Sequence, residues 1–206
     1  ERDAAIEHMT RAEQLGEKSK EFYTVLGRAY ADKRDWTNAL ASFEKGDPGP
    51  KEALIVAQIL AFTNQPARAD SVYQSVIARD STLSDARFAM NELGKMRFGA
   101  KDWAGALGYF QRRIALDPNS GEAYYFSGLS YKQMDQIELS VEALRRAAEL
   151  DSTKADRHFW LGVVLDSQKD AAGARAAFAR AVSLDSTSKL MSKAFAQLAY
   201  YAQLDR

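Results

Sequence analysis

The feature that most limits what this chain can fold into is a repeat. Gly94, Gly128 and Gly162 stand 34 residues apart, and so do Asp117, Asp151 and Asp185, which close the segments Ile-Ala-Leu-Asp, Ala-Glu-Leu-Asp and Val-Ser-Leu-Asp. Between these marks Ala106, Ser140 and Ala174 share one position, and Phe110, Leu144 and Phe178 another. Agreement in size and polarity at fixed offsets points to one small unit used over and over, as in solenoids and helical arrays. Two looser copies come earlier. Gly27, Tyr30, Ala39 and Phe43 carry the pattern until Gly46-Asp-Pro-Gly-Pro50, which breaks the helix about one turn early. The next copy has Ala57 for the Gly, then Leu60, Ala69, Tyr73 and Val76. Its Pro66 stands where a second helix begins, a place that tolerates Pro because the first helical N–H has no partner. Three extra residues follow Asp80, and they are expected to lengthen a loop.

Within one copy the apolar spacing is helical. Tyr124, Gly128 and Tyr131 lie at i, i+4 and i+7, and Ser140, Leu144 and Ala147 repeat that step. Each copy is therefore read as two amphipathic helices of about 12 to 14 residues. Gly128, Ser140 and Ala147, like Gly162, Ala174 and Ala181, fall where two antiparallel helices would come closest, and a larger side chain there would push them apart. Extending the register outward leaves a half repeat at each end. Residues 1–18, with Ile6 and Met9, match a second helix without a first, and residues 189–206 match a first helix without a second. Five helix pairs are expected between them, at 20–49, 50–83, 87–120, 121–154 and 155–188, giving twelve helices in a single domain over 1–206.

The pattern resembles the tetratricopeptide repeat, whose marks are W-x2-L-G-x2-Y, A-x3-F and P. Leu26-Gly27-x2-Tyr30 with Ala39-x3-Phe43, and Leu161-Gly162 with Ala174-x3-Phe178-x2-Ala181, match it best. No copy carries the family Trp, and Pro follows the closing Asp only at Pro118. The resemblance covers essentially the whole chain and implies an all-α, right-handed solenoid of antiparallel helix pairs, acting as a protein-interaction scaffold or adaptor. It also implies that the first helices line a concave groove that takes a peptide or helix. The residues of this chain at the lining positions include Arg28, Gln58, Asn91, Lys95, Phe98, Tyr125, Leu129, Phe159, Val163 and Asp166, mixed polar in the first half and aromatic in the second. Family members that grip a C-terminal carboxylate use Lys, Asn and Arg at set positions. Here Thr24, Arg28, Ile55, Phe88 and Glu92 stand in those places, so a two-carboxylate clamp is not expected.

The last helix carries Leu190, Leu198, Tyr200, Tyr201 and Leu204, with Met191 and Phe195, more apolar residues than one buried stripe needs. Three readings stand: a cap over the last pair, neighbouring domains removed from both ends, or head-to-tail assembly in which one chain's last helix meets Ile6 and Met9 of the next, closing a ring or an open filament.

Composition narrows the chemistry. The chain has 28 Lys and Arg against 28 Asp and Glu, no Cys, and no apolar run long enough to span a bilayer. Zero net charge argues against holding nucleic acid by bulk charge. Without Cys there is no disulfide framework, thiolate metal site or cysteine nucleophile. His8 and His158 are the two histidines, one on a charged helix face and one at a packing position; no metal-ligand spacing, phosphate loop or catalytic constellation is present. A non-enzymatic protein with no cofactor, no metal, and protein or peptide partners is expected. The chain begins at Glu1 without Met, as a processed product or a piece of something longer would. A soluble protein is expected, and the repeated Asp-Ser-Thr loop endings and lack of Cys suggest export from a bacterial cell.

Overall fold

The computed structural model of the chain describes residues 2–79 and 84–204, and every regular element among them is an α-helix. The chain divides into two compact units, Glu1–Ala89 and Met90–Arg206. The first holds α1 (Arg2–Gln14), the pair α2 (Lys20–Asp32) and α3 (Trp36–Lys45), the pair α4 (Pro50–Phe62) and α5 (Pro66–Arg79), and the start of α6 (Ser84–Gly99). The second holds the rest of α6 with α7 (Trp103–Leu116), then α8 (Gly121–Gln133) with α9 (Ile137–Leu150), α10 (Ala155–Ser167) with α11 (Ala171–Leu184), and α12 (Lys189–Leu204).

The turns within the helix pairs share one backbone geometry, and three of them share a capping aspartate. Asp35, Asp102 and Asp170 cap the second helices α3, α7 and α11, accepting hydrogen bonds from the backbone N–H of Asn38, Gly105 and Gly173. Such a cap is worth about 1 kcal/mol. Each turn just before a second helix also contains one non-glycine residue with positive φ, namely Arg34, Asn64, Lys101, Asp135 and Lys169. After each of them the next N–H reaches back five residues, as from Asp102 to the Arg97 carbonyl and from Asp170 to that of Leu165. This closes the first helix in a Schellman-type turn, with a lysine, arginine, asparagine or aspartate where glycine is more usual.

The glycine period has a steric cause. A Cβ at Gly27, Gly94 or Gly162 would meet the ring of Phe43, Phe110 or Phe178 at 2.8, 2.6 and 2.8 Å, and one at Gly128 would meet Leu144 at 2.5 Å. The backbones of a pair approach until the next side chain fills the gap, which accounts for the Gly-to-aromatic pairing in the sequence. In the α8–α9 pair the Ser140 hydroxyl also donates to the Gly128 carbonyl at 2.8 Å across the helices.

The three residues inserted after Asp80 do not simply lengthen a loop. Gly94 is the eleventh residue of α6, whereas Gly128 and Gly162 are the eighth of α8 and α10, so the extra residues add nearly a turn to the start of α6. Asp85 in that turn suits the positive end of the helix dipole. Residues 80–83 lie outside the described residues.

The two half repeats dock differently. Helix α1 rests on its unit by one buried residue, Ile6, and by polar ties: Tyr23 donates its hydroxyl to Glu13 at 3.0 Å, and Glu13 pairs with Lys45 at 3.1 Å. Helix α12 covers α10 and α11 with Met191, Ala194 and Tyr201, all buried. Phe195, on one side of the helix, and Tyr200 and Leu204, on the other, are exposed.

Candidate functional site

The first helices carry the residues expected to meet a ligand, and the two units treat them differently. In the first unit α2, α3 and α4 enclose an open cleft of about 490 Å³, lined by Arg28, Ala31, Asp32, Trp36, Ile55, Gln58, Ile59 and Phe62. Trp36 opens α3 directly after its capping Asp35 and packs edge-on against Phe62, with ring centroids 5.7 Å apart. Phe62 ends α4 and is 76% exposed, a large apolar surface left open at the mouth of the cleft. Arg28 pairs with Glu52, whose side chain is only 8% exposed while that of Arg28 is 53% exposed. A buried carboxylate thus holds one guanidinium nitrogen of an arginine whose side chain is otherwise half exposed. Arg28 and Gln58, expected to line the groove, are brought together in this cleft with Trp36, Ile55 and Ile59.

In the second unit the same face is filled by the chain's own side chains. The Asn91 side-chain amide donates to Glu122 at 3.0 Å, and Lys95 pairs with Glu92 at 2.6 Å and Glu122 at 3.1 Å. Burial works against the charged amine of Lys95, but the hydrogen bonds to the two glutamates outweigh it and hold its pKa above the ordinary lysine value. The carbonyl oxygen of the Asn91 side chain is buried and has no hydrogen-bond partner.

Further along, Tyr125 and Leu129 of α8 and Phe159 of α10 are buried. This differs from the expectation of exposed anchors, and the cause is packing. The Arg157 guanidinium lies 3.8 Å over the Tyr125 ring, held by Asp156 at 2.7 Å and Asp151 at 3.3 Å. Burial first, then the nearby Asp156 charge, push the Tyr125 hydroxyl up to about 12. Phe159 is pinned between Trp160 and Phe178, with centroids 5.4 and 5.7 Å away. Phe98 is half-buried and stacked edge-on with Trp103 and Phe126, and Val163 is half-buried. Asp166 is exposed but already accepts a hydrogen bond from the Tyr201 hydroxyl. Desolvation first, then that bond, raise Tyr201 to about 12.

Of the end-helix residues, Ile6 and Tyr201 are buried, Met9, Leu190 and Leu198 half-buried, and Tyr200 and Leu204 exposed. Among the described residues no group of three His, Asp or Glu side chains could hold a metal ion. No described helix is long and apolar enough to cross a membrane. What the sequence missed was Trp36. Its signal was Asp35-Trp36, echoed by Asp102-Trp103, an aromatic placed just inside a capped second helix and so beside the end of a first.

Comparison with known proteins agrees with this architecture. The BBSome complex member BBS4 of Bos taurus is 24% identical over 201 residues, which cover 96% of this chain and 38% of that protein. The chain thus spans under two-fifths of the length of that relative. Among solved structures, residues 41 to the end of MamA from Desulfovibrio magneticus RS-1 superpose with a TM-score of 0.71 at 22% identity, covering 84% of this chain and 98% of that one. YrrB, described as a TPR protein with an unusual peptide-binding site, superposes with a TM-score of 0.71 at 16% identity, covering 90% and 96%. These structural likenesses concern the fold. The sequence model of the tetratricopeptide repeat matches residues 57–121 and 127–189, more than half of the chain. The chain belongs to the tetratricopeptide repeat family.

Proposed function

We propose that this protein is a non-enzymatic interaction scaffold that binds an extended peptide or an amphipathic helix along its first helices, with the α2–α4 cleft as its main anchor point. The observation that carries this reading is Phe62, 76% exposed beside Trp36, Arg28 and Gln58. A large apolar side chain open to solvent at the mouth of a cleft, flanked by a cation and an amide, has the make-up of a peptide subsite: apolar contact for affinity, polar groups for register. In the second unit, Lys95 offers an ammonium held in place by two glutamates. The peptide-binding site of YrrB, in a protein of the same fold, adds support. Tyr125, Leu129 and Phe159 then act as the packed base of this face, and Phe98, Val163 and Asp166 as its partly covered neighbours.

The test is capture of partners from the source cells by immobilised protein, compared with Phe62→Glu and Gln58→Ala. Loss of the same partners in both variants, at unchanged helicity, is expected. Unchanged recovery would move the site elsewhere.

A second reading is end-to-end assembly of copies. It is favoured by Tyr200 and Leu204, 54% and 64% exposed and one turn apart on α12. Single apolar residues on a surface are normal, but two large ones a turn apart at the end of the array are where a second copy would dock. Sedimentation over a concentration series, with Tyr200→Glu and Leu204→Glu, separates the two readings: a monomer at every concentration ends the second.

A further inference from the structure

Among the described residues α1 has no first helix before it, and α12 no second helix after it. The repeat register says which side of each is left uncovered. Counting back 34 residues from Ala39 and Phe43 of α3 gives Ala5 and Met9 of α1. Ala39 and its equivalents Ala69, Ala106, Ser140 and Ala174 are all 0% exposed within their helix pairs, whereas Ala5 is exposed and Met9 only half-buried. Counting forward 34 residues from Leu161 and Gly162 of α10 gives Phe195 and Ala196 of α12. Leu26 and Leu93, at the Phe195 position, are 2% and 0% exposed, but Phe195 is 45% exposed and Ala196 is exposed beside it. The open side of α1 is thus the side that takes a first helix, and the open side of α12 is the side that takes a second.

The two surfaces also match in size and charge. In the α8–α9 pair the Ser140 hydroxyl reaches the Gly128 carbonyl at 2.8 Å, so the paired backbones come closest at these two positions. Their equivalents are Ala5 and Ala196, small on both sides, and α4 already buries an alanine, Ala57, at the Gly position. Successive first helices are tied to one another as well. Asn91 and Lys95 of α6 bind Glu122 of α8 at 3.0 and 3.1 Å, and Asp166 of α10 accepts from the Tyr201 hydroxyl of α12. Carried over to α12 followed by α2, the first tie becomes Lys193 and Gln197 against Glu21. The second becomes Tyr200 against Asp32, with phenol and carboxylate exchanged. Lys193, Tyr200, Glu21 and Asp32 are all exposed, and Lys193, Glu21 and Asp32 form no ion pair among the described residues. A cation and a phenol on α12 thus answer two carboxylates on α2, and such complementarity selects a partner and its register. We propose, on the end-to-end reading above, that α12 is seated on the α1–α2 surface of a second copy. It pairs with α1 as a first helix with its second, Ala196 against Ala5, and it stacks on α2 with Lys193 at Glu21 and the Tyr200 hydroxyl donating to Asp32. The repeat so completed belongs to two molecules.

The experiment is sedimentation velocity of the full chain over a concentration series, with Tm measured for every variant. Mass rising with concentration is expected. Ala5→Phe and Ala196→Phe alter exposed positions, so each should leave Tm unchanged yet abolish association, because a large side chain there holds the two backbones apart. Each variant keeps one intact surface, α12 in Ala5→Phe and α1 in Ala196→Phe. An equimolar mixture of the two should therefore form a dimer and nothing larger. Lys193→Glu and Glu21→Lys should each weaken association about five-fold, the upper worth of one exposed ion pair, and the chain carrying both should regain it. A monomer at every concentration overturns both this proposal and the end-to-end reading. Association that survives Ala5→Phe, a mixture that stays monomeric, or a double charge exchange that restores nothing overturns this proposal alone and leaves that reading standing.

Discussion

The first-helix faces of the two units are built on one repeat and end in opposite states. In Glu1–Ala89 the charged partner that is buried is a carboxylate, Glu52, and its arginine reaches outward into an open cleft. In Met90–Arg206 the buried partner is the arginine, Arg157, 7% exposed in its side chain, with Asp151 and Asp156 partly exposed and its guanidinium lying on Tyr125. The same period therefore supports either an open cleft or a sealed surface. Which one results depends on which member of an ion pair the packing takes in, because the buried member sets where the other can point.

The largest expected effect tests that inversion directly. Arg28→Ala strands Glu52 as a buried, unpaired carboxylate and should cost about 3 kcal/mol, whereas Arg157→Ala leaves two partly exposed aspartates and loses mainly the stacking on Tyr125, about 2 kcal/mol. Urea melts of both variants measure this; an equal or reversed order would break the contrast. Glu52→Ala, which leaves only an exposed arginine, should cost less than Arg28→Ala.

Close helix approach gives the next test. At Gly128 an added Cβ meets both the Leu144 side chain and its backbone nitrogen, the latter at 3.1 Å, while at Gly27 the nearest atoms are all in the Phe43 ring. Gly128→Ala should therefore destabilise by about 2–3 kcal/mol and Gly27→Ala by about 1–2 kcal/mol. Gly108, in α7 with nothing within 4 Å, should instead gain about 0.5–1 kcal/mol on replacement by Ala.

The smallest effect is in pH. Tyr125 and Tyr201 of the second unit are both pushed up to about 12, chiefly by desolvation, and the fold holds their neutral form. Their contribution is fully present below the ordinary tyrosine value of 10.0 and is lost as pH rises through about 12. Ultraviolet titration of tyrosinate should show Tyr125→Phe and Tyr201→Phe each removing one phenol from the highest-titrating class.

Much of the scaffold could be read directly. Gly94, Gly128 and Gly162 with Phe110, Leu144 and Phe178 announced the helix pairs, since only a missing Cβ lets the facing side chain sit so close. The turns were less legible. Arg34, Lys101 and Lys169 adopt positive φ without glycine to signal it, because the pairing of two helices imposes the turn and absorbs its cost. The inserted residues after Asp80 read as loop but extend α6, since nothing in their number says whether a helix can take them up.

The candidate site was legible only where a side chain's position on its helix settled its exposure. Arg28 and Gln58 lie in the cleft as their register implies, while Tyr125 and Phe159, at equivalent positions, are covered by Arg157 and by Trp160 and Phe178. Period and residue size by themselves determined the helices, their pairing and the family, because these follow from local spacing and steric fit. The tertiary structure alone decided which face is open and which ion-pair partner is buried. Those outcomes depend on neighbours brought together from different helices.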